Sequence, residues 1–227
     1  VPGPTGLAVI AVDEAGENTI IVIPGANGQV DAALVHPQAA TIGAADVVIC
    51  QCEIPTESIT ATARATRGRF ILNLAPVTPV PVEVLRRCDP LVVNEHEARG
   101  LLAHLDGTAG TEEADGEAGG YAQVAERLRS HGIPAVVITL GADGALIADD
   151  DGLVTVPSPR VDVVDTTGAG DAFVGTLGAH LAAGADLRGA TARACHAGAL
   201  ATTAPGAQNA YMHALAEQHE PQDTECR

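Results

Sequence analysis

The chain has 227 residues and a formal charge of −17, with 29 Asp and Glu against 12 Lys and Arg. That charge repels phosphate backbones and anionic lipid, which argues against sequence-independent nucleic-acid or membrane-surface binding and leaves a small molecule as the expected partner. Hydrophobic residues make up 46% of the chain, yet there are two Phe, two Tyr and no Trp, so aliphatic side chains have to form the core, as suits a sheet covered by helices. The length suffices for one large α/β domain. No run reaches the roughly 18 apolar residues that span a bilayer, and the N-terminus lacks a basic stretch followed by an apolar one. The expectation is a soluble, cytoplasmic protein.

In chain order, LAVIAVD (7–13) and TIIVI (19–23) alternate apolar and polar residues around a Gly-containing turn, which predicts an exposed two-stranded ribbon. From Asp46 the rhythm changes to buried strand then helix. DVVIC (46–50) precedes a helix near Thr56–Thr66, RFILNL (69–74) a short helix near Pro81–Arg87, and PLVVN (90–94) a helix over Glu95–His104. Unbroken Val, Ile and Leu runs alternating with helices predict a mostly parallel sheet. DGTAGTEEADGEAGG (106–120) has no apolar period and reads as an exposed loop. A helix near Tyr121–His131, a strand at 135–140 and a hairpin of 145–149 with 153–157 follow, then helices from about Ala169 to Ala183 and Leu187 to Thr203, with Gly184 as a C-terminal cap. The tail after Glu217 is polar.

The five cysteines, Cys50, Cys52, Cys88, Cys195 and Cys226, lack zinc-type spacing and read as reduced thiols, mostly buried.

The chemical signal is VDVVDTTGAGDAF (161–173), an apolar strand end, a small-residue turn and a helix opened by Gly168, Ala169, Gly170 and Asp171. Such a turn leaves backbone N–H groups unpaired at a helix N-terminus, where the macrodipole favours an anion. Asp171 would stand beside those donors, placed to take a proton from an alcohol while the amides hold a transferring phosphoryl group. Helix capping by Asp171 is the alternative at this point.

DTTGAGD resembles the second signature of the ribokinase family, the PfkB carbohydrate kinases, and other segments resemble that family in its own order. NEHEA (94–98) is similar to its N-x-x-E motif, which implies Asn94 near the phosphates and Glu97 orienting Mg²⁺ through water; ITLGADG (138–144) is similar to its nucleotide segment, which implies Thr139, Gly141 and Gly144 at the ribose and adenine. GAN (25–27), LNLAP (72–76) and PGAQNA (205–210) resemble the ribokinase branch, and the same pattern implies Glu53 as a sugar-contacting acid and His196 near the adenine. It further implies a K⁺ site from Asp165 and the carbonyls of Thr167, Ala204 and Gly206, although a residue is missing before Gly206 and Ala210 replaces a common hydroxyl residue.

The resemblance implies a three-layer α/β/α fold with a mostly parallel sheet and a partial β lid, with residues 1–30 including part of that lid and the family's N-terminal third absent. It implies ATP-dependent phosphorylation of a sugar, D-ribose at its 5-hydroxyl first of all, assisted by Mg²⁺ and K⁺, and a homodimer through the lid. Deoxyribose, fructose, a keto-deoxy sugar acid or a nucleoside remain as acceptors, and an inactive nucleotide-binding fragment remains as the non-enzymatic reading.

Overall fold

The computed structural model describes residues 1–12, 18–107 and 119–207, which fall into two compact units, Val1–Val136 and Val137–Arg227.

The first unit opens with β1 (Leu7–Val12) and β2 (Asn18–Ile23), an antiparallel pair in which Leu7 faces Ile23 and Val9 faces Ile21. Its expected turn lies outside the described residues. Leu7, Val9, Ile21 and Ile23 share one face of the ribbon and are each about half exposed. A 3-10 turn (Gly25–Gln29) and two short helices, α1 (Ala32–Val35) and α2 (Ala39–Ala44), come next. The sequence pattern assigns no helix here, because Pro37 interrupts any continuous helical period. The chain accommodates the proline at the start of a 3-10 turn, His36–Gln38, and starts α1 locally, the Asp31 carboxylate accepting from Leu34 N at 3.0 Å.

Strand and helix then alternate as expected: β3 (Val47–Gln51), α3 (Thr56–Ala65), β4 (Arg69–Asn73), α4 (Val82–Leu85), β5 (Cys88–Asn94), α5 (Glu95–Leu105), α6 (Gly119–Ser130) and β6 (Val136–Thr139). Within this unit the order is β3-β4-β5, both pairings parallel, and Leu91 N donates to Ala135 O at 2.9 Å just before β6 begins. Phe70, Ile71, Leu72, Leu91, Val92 and Val93 are no more than 1% exposed, as central parallel strands require. The stretch expected as a loop lies mostly outside the described residues, and its end, Gly119 and Gly120, already belongs to α6.

In the second unit the order is β6-β7-β8, with β7 (Ala145–Asp149) antiparallel to β8 (Gly152–Val156). Two packed helices follow, α7 (Ala169–Ala182) and α8 (Leu187–Ala201). At the end of α7, Gly184 adopts φ +87°, its N–H bonds to Leu181 O at 3.0 Å and Ala185 N bonds to His180 O at 3.0 Å, the double closure that a left-handed glycine permits.

One expectation fails here. Val161–Asp165, read as a strand end, forms no strand: Val163 and Val164 are 60% and 61% exposed, and the amides of Val164 and Asp165 both donate to Thr202 O, at 2.8 and 3.1 Å. Among the described residues no strand pairs with this segment, so Val163 and Val164 stay in solvent and the end of α8 takes up its backbone donors. No described helix is long and apolar enough to cross a membrane.

Candidate active site

Gly168 caps α7 with φ +80° and ψ 0°, a left-handed conformation open to glycine, and this turns the chain from the DTT segment into the helix. Asp171 lies exposed in the first turn. Of the amides at this end, Ala169 N bonds to Thr166 O at 3.2 Å and Ala172 N to Gly168 O at 2.9 Å. Gly170 N and Asp171 N belong to the first turn, where a helix supplies no acceptor of its own. A Cβ on Gly170 would meet nothing within 4 Å, so an oxyanion can approach its backbone closely.

Asp165 binds two neighbouring segments: its Oδ1 accepts from Thr167 N at 2.9 Å and its Oδ2 from Gly206 N at 2.8 Å. The Gly206 amide first, and then Thr167, hold this carboxyl below its usual range, so it is anionic at neutral pH. Three of the four residues expected around K⁺ are thereby brought together, with Ala204 two residues before Gly206. Ala210 lies outside the described residues. Among the described residues no group of three or more His, Cys, Asp and Glu could hold a metal ion, and a carbonyl-rich site for a large cation needs no such group.

Thr139 ends β6, and Gly141 and Gly144 bound the turn that follows. Gly141 has φ +54° with open space where a Cβ would stand, whereas Gly144 has φ +98° and its Cβ would lie 2.0 Å from Val156 O. Glycine at 144 is therefore demanded by the packing of this turn on β8, whatever else it contacts. His196 is exposed on α8.

In the first unit, Asn94 and Glu97 form a reciprocal cap on α5. Asn94 Oδ1 accepts from Glu97 N at 2.8 Å, and Glu97 Oε2 accepts from Asn94 N at 2.7 Å. Burial pushes the Glu97 carboxyl above its ordinary range, against the opposing effects of the Asn94 amide and His96. Asn94 thus caps α5 through both bonds, and the cap also fixes where Glu97 points.

Glu53 lines a cavity of about 290 Å³ together with Val22, Pro24, Asn27, Gly28, Cys52, Ile54, Pro55 and Pro76. Sequence reasoning did not single out Asn27 as a site residue, although it closes the quoted GAN segment. Apolar walls carrying a few polar groups are typical of small-molecule sites. Cys50, Cys52, Cys88 and Cys195 are buried and free, and burial pushes Cys50 and Cys195 up to about 11 and Cys52 up to about 12, so these remain protonated thiols at neutral pH and poor metal ligands. Cys226 lies outside the described residues.

This architecture is shared with solved sugar kinases. The ribokinase of Thermotoga maritima superimposes with a TM-score of 0.82 at 30% identity, covering 95% of this chain and 70% of that one. An Arabidopsis thaliana ribokinase complexed with ribose and ATP does so at 0.74 and 27%, covering 92% and 66%. The chain matches the pfkB family of carbohydrate kinases over residues 2–214, and it belongs to that family. A curated relative, the ribokinase of Schizosaccharomyces pombe, is 36% identical over 208 residues, 89% of this chain but only 63% of that protein. The chain thus spans less than two thirds of that relative's length.

Proposed function

We propose that this chain carries the catalytic and nucleotide-binding part of an ATP-dependent sugar kinase whose acceptor is the 5-hydroxyl of D-ribose. The observation that carries the reading is the start of α7, where left-handed Gly168 presents the first-turn amides and Asp171 stands among them. The Asp171 carboxylate accepts the hydroxyl proton as the sugar oxygen bonds to the γ-phosphorus; the bond from that phosphorus to the β-phosphate oxygen breaks, and ADP leaves with the electron pair. Gly168, Ala169 and Gly170 line the hole for the phosphoryl charge, with Gly170 N the better placed donor because Ala169 N already bonds to Thr166 O.

Asn94, Thr139, Gly141, Gly144 and His196 border the nucleotide in this reading, and Glu53 contacts the sugar. Mg²⁺, when bound, neutralises phosphate charge. A single oriented carboxylate, Glu97, suits an ion that keeps most of its waters. Asp165 with the carbonyls of Thr167, Ala204 and Gly206 would hold K⁺, which the clustering around Asp165 favours. The apolar face of the β1-β2 ribbon is the surface through which two copies would associate, in the cytoplasm.

ADP formation by the 227-residue chain with MgATP, KCl and D-ribose tests the proposal. Sugar-dependent turnover is expected, and Asp171→Asn should reduce it by about 10²–10⁴-fold, the usual contribution of a general base. Turnover unaffected by that substitution would refute the assignment. ATP binding without any sugar-dependent turnover would favour the inactive-fragment reading, which the exposure of Val163 and Val164 beside the DTT segment also suggests.

A further inference from the structure

The cavity that Val22 and Glu53 line is bounded by separate stretches of chain, and its width depends on what ties them together. One wall comes from Pro24, Asn27 and Gly28, another from Cys52–Pro55, and Pro76 closes a third side. The Cys52 wall is joined to the Pro76 side by Cys52 N bonding to Ala75 O at 3.0 Å. The Asn27 wall ends in a turn closed by Val30 N on Asn27 O at 3.1 Å, and the Pro55 wall ends in a turn closed by Ser58 N on Pro55 O at 2.9 Å. The two turns are joined to each other by one side chain: the Ser58 hydroxyl donates to Val30 O across 28 residues of sequence. Ser58 is 0% exposed, in the first turn of α3, so its hydroxyl is withdrawn from water, while Val30 is half-buried.

We propose that Ser58 is a positioning residue that sets the separation between the Asn27 wall and the Glu53 wall, and thereby selects the size of the acceptor sugar. The proposal rests on the reading that this cavity receives the sugar. Asn27 and Glu53 are polar groups that separate stretches of chain bring to the cavity lining, and a sugar ring engages both only when their spacing is held to a fraction of an ångström. The Glu53 wall continues directly from β3, but the Asn27 turn belongs to no strand of the sheet, so strand pairing does not fix that spacing. The Ser58–Val30 bond does, by linking the closing residues of the two turns. Without it the Asn27 turn keeps the bond from Ala26 N to Pro4 O, at 2.8 Å, and the packing of α1 on α3 further along the chain, but loses the side-chain tie between the two turns.

The test is direct binding of labelled D-ribose and D-fructose by equilibrium dialysis, which needs no turnover, on the full chain and on Ser58→Ala, Ser58→Cys, Ser58→Thr and Glu53→Gln, each checked by thermal melting. Ser58→Ala, and the near-isosteric but weakly donating Ser58→Cys, should each weaken ribose binding by about tenfold and reduce the preference for ribose over fructose, while Ser58→Thr, which keeps the hydroxyl, should stay within about twofold of the parent. A merely structural serine would lower the melting temperature and leave the ribose-to-fructose ratio unchanged. If a folded Ser58→Ala or Ser58→Cys binds both sugars as the parent does while Glu53→Gln weakens ribose, the positioning role is wrong and the cavity assignment survives. If the parent binds no ribose, or Glu53→Gln binds it undiminished, the cavity is not the acceptor site and the role of Ser58 falls with it.

Discussion

Gly141 and Gly144 show how a single motif mixes two demands. Both have positive φ, but only Gly144 has no room for a methyl group, its Cβ falling 2.0 Å from Val156 O. Gly144→Ala should therefore lower stability by about 2–4 kcal/mol, while Gly141→Ala, strained but unobstructed, should lower it by about 1 kcal/mol and act chiefly on nucleotide affinity; urea denaturation and ATP titration of both variants check this. Glu97 offers a pH test. Burial raises its folded pKa above the unfolded value, so the folded state holds the proton more tightly and stability falls as pH rises from the unfolded pKa through the folded one. Glu97→Gln removes that titration and can still accept from Asn94 N. The variant should melt higher than the parent at pH 7, with the difference shrinking as pH falls below the ordinary glutamate range; a difference independent of pH would mean that Glu97 is not held above its usual pKa. The turn from Gly168 to Asp171 was legible because small residues opening a helix leave amides for an anion in any sequence, whereas Glu53, Asn94, Glu97, Thr139, Gly141, Gly144, Asp165 and His196 were readable only through the family resemblance. Asn27 and Ser58 were not legible, since a cavity wall made by two turns leaves no periodic or compositional trace.

At the scale of elements, charge follows helix polarity. Acids occupy first turns, with Glu57 in α3, Glu83 in α4, Glu95 and Glu97 in α5 and Asp171 in α7, while Arg64 ends α3 and Arg127 and Arg129 end α6. Arg87 adds to this by donating to Thr66 O, the capping carbonyl of α3, at 2.7 Å. Dipole complementarity thus places acids at helix starts for stability as well as chemistry, and the two must be separated by experiment. Asn94 allows it: aspartate caps a helix as well as asparagine does, but brings a negative charge towards the expected phosphates. Asn94→Asp should keep stability within about 0.5 kcal/mol of the parent and weaken MgATP binding, whereas Asn94→Ala should cost about 1 kcal/mol as well. Equal MgATP affinity in the parent and in Asn94→Asp would leave the motif only its capping role. Strong periodic elements were readable to within a residue or two: α7 was expected over 169–183 and runs Ala169–Ala182. The misses have local causes. Pro37 hid α1 and α2 by splitting a helical stretch, and Val161–Asp165 has strand composition but no strand to pair with among the described residues.

For the whole molecule, the ribbon and the net charge pull in opposite directions. Leu7, Val9, Ile21 and Ile23 present a half-exposed aliphatic face, the kind of surface that two copies bury against each other. Each copy also carries a formal charge of −17, so two approaching chains repel one another. An interface closed by apolar contact and opposed by like charge has a distinctive salt response. Added salt screens the repulsion, with a Debye length of about 10 Å at 0.1 M and about 3 Å at 1 M, and leaves the apolar attraction intact, so association should strengthen as NaCl rises. An interface held by ion pairs would respond in the opposite sense. Sedimentation of the chain at low and high salt should therefore show the dimer fraction rising, and Val9→Glu with Ile21→Glu, which places carboxylates on the middle of that face, should leave a monomer at both salts with an unchanged melting temperature. A dimer that persists in the double variant would locate the contact elsewhere, and one that dissociates in high salt would mean that charge pairs rather than the ribbon hold it.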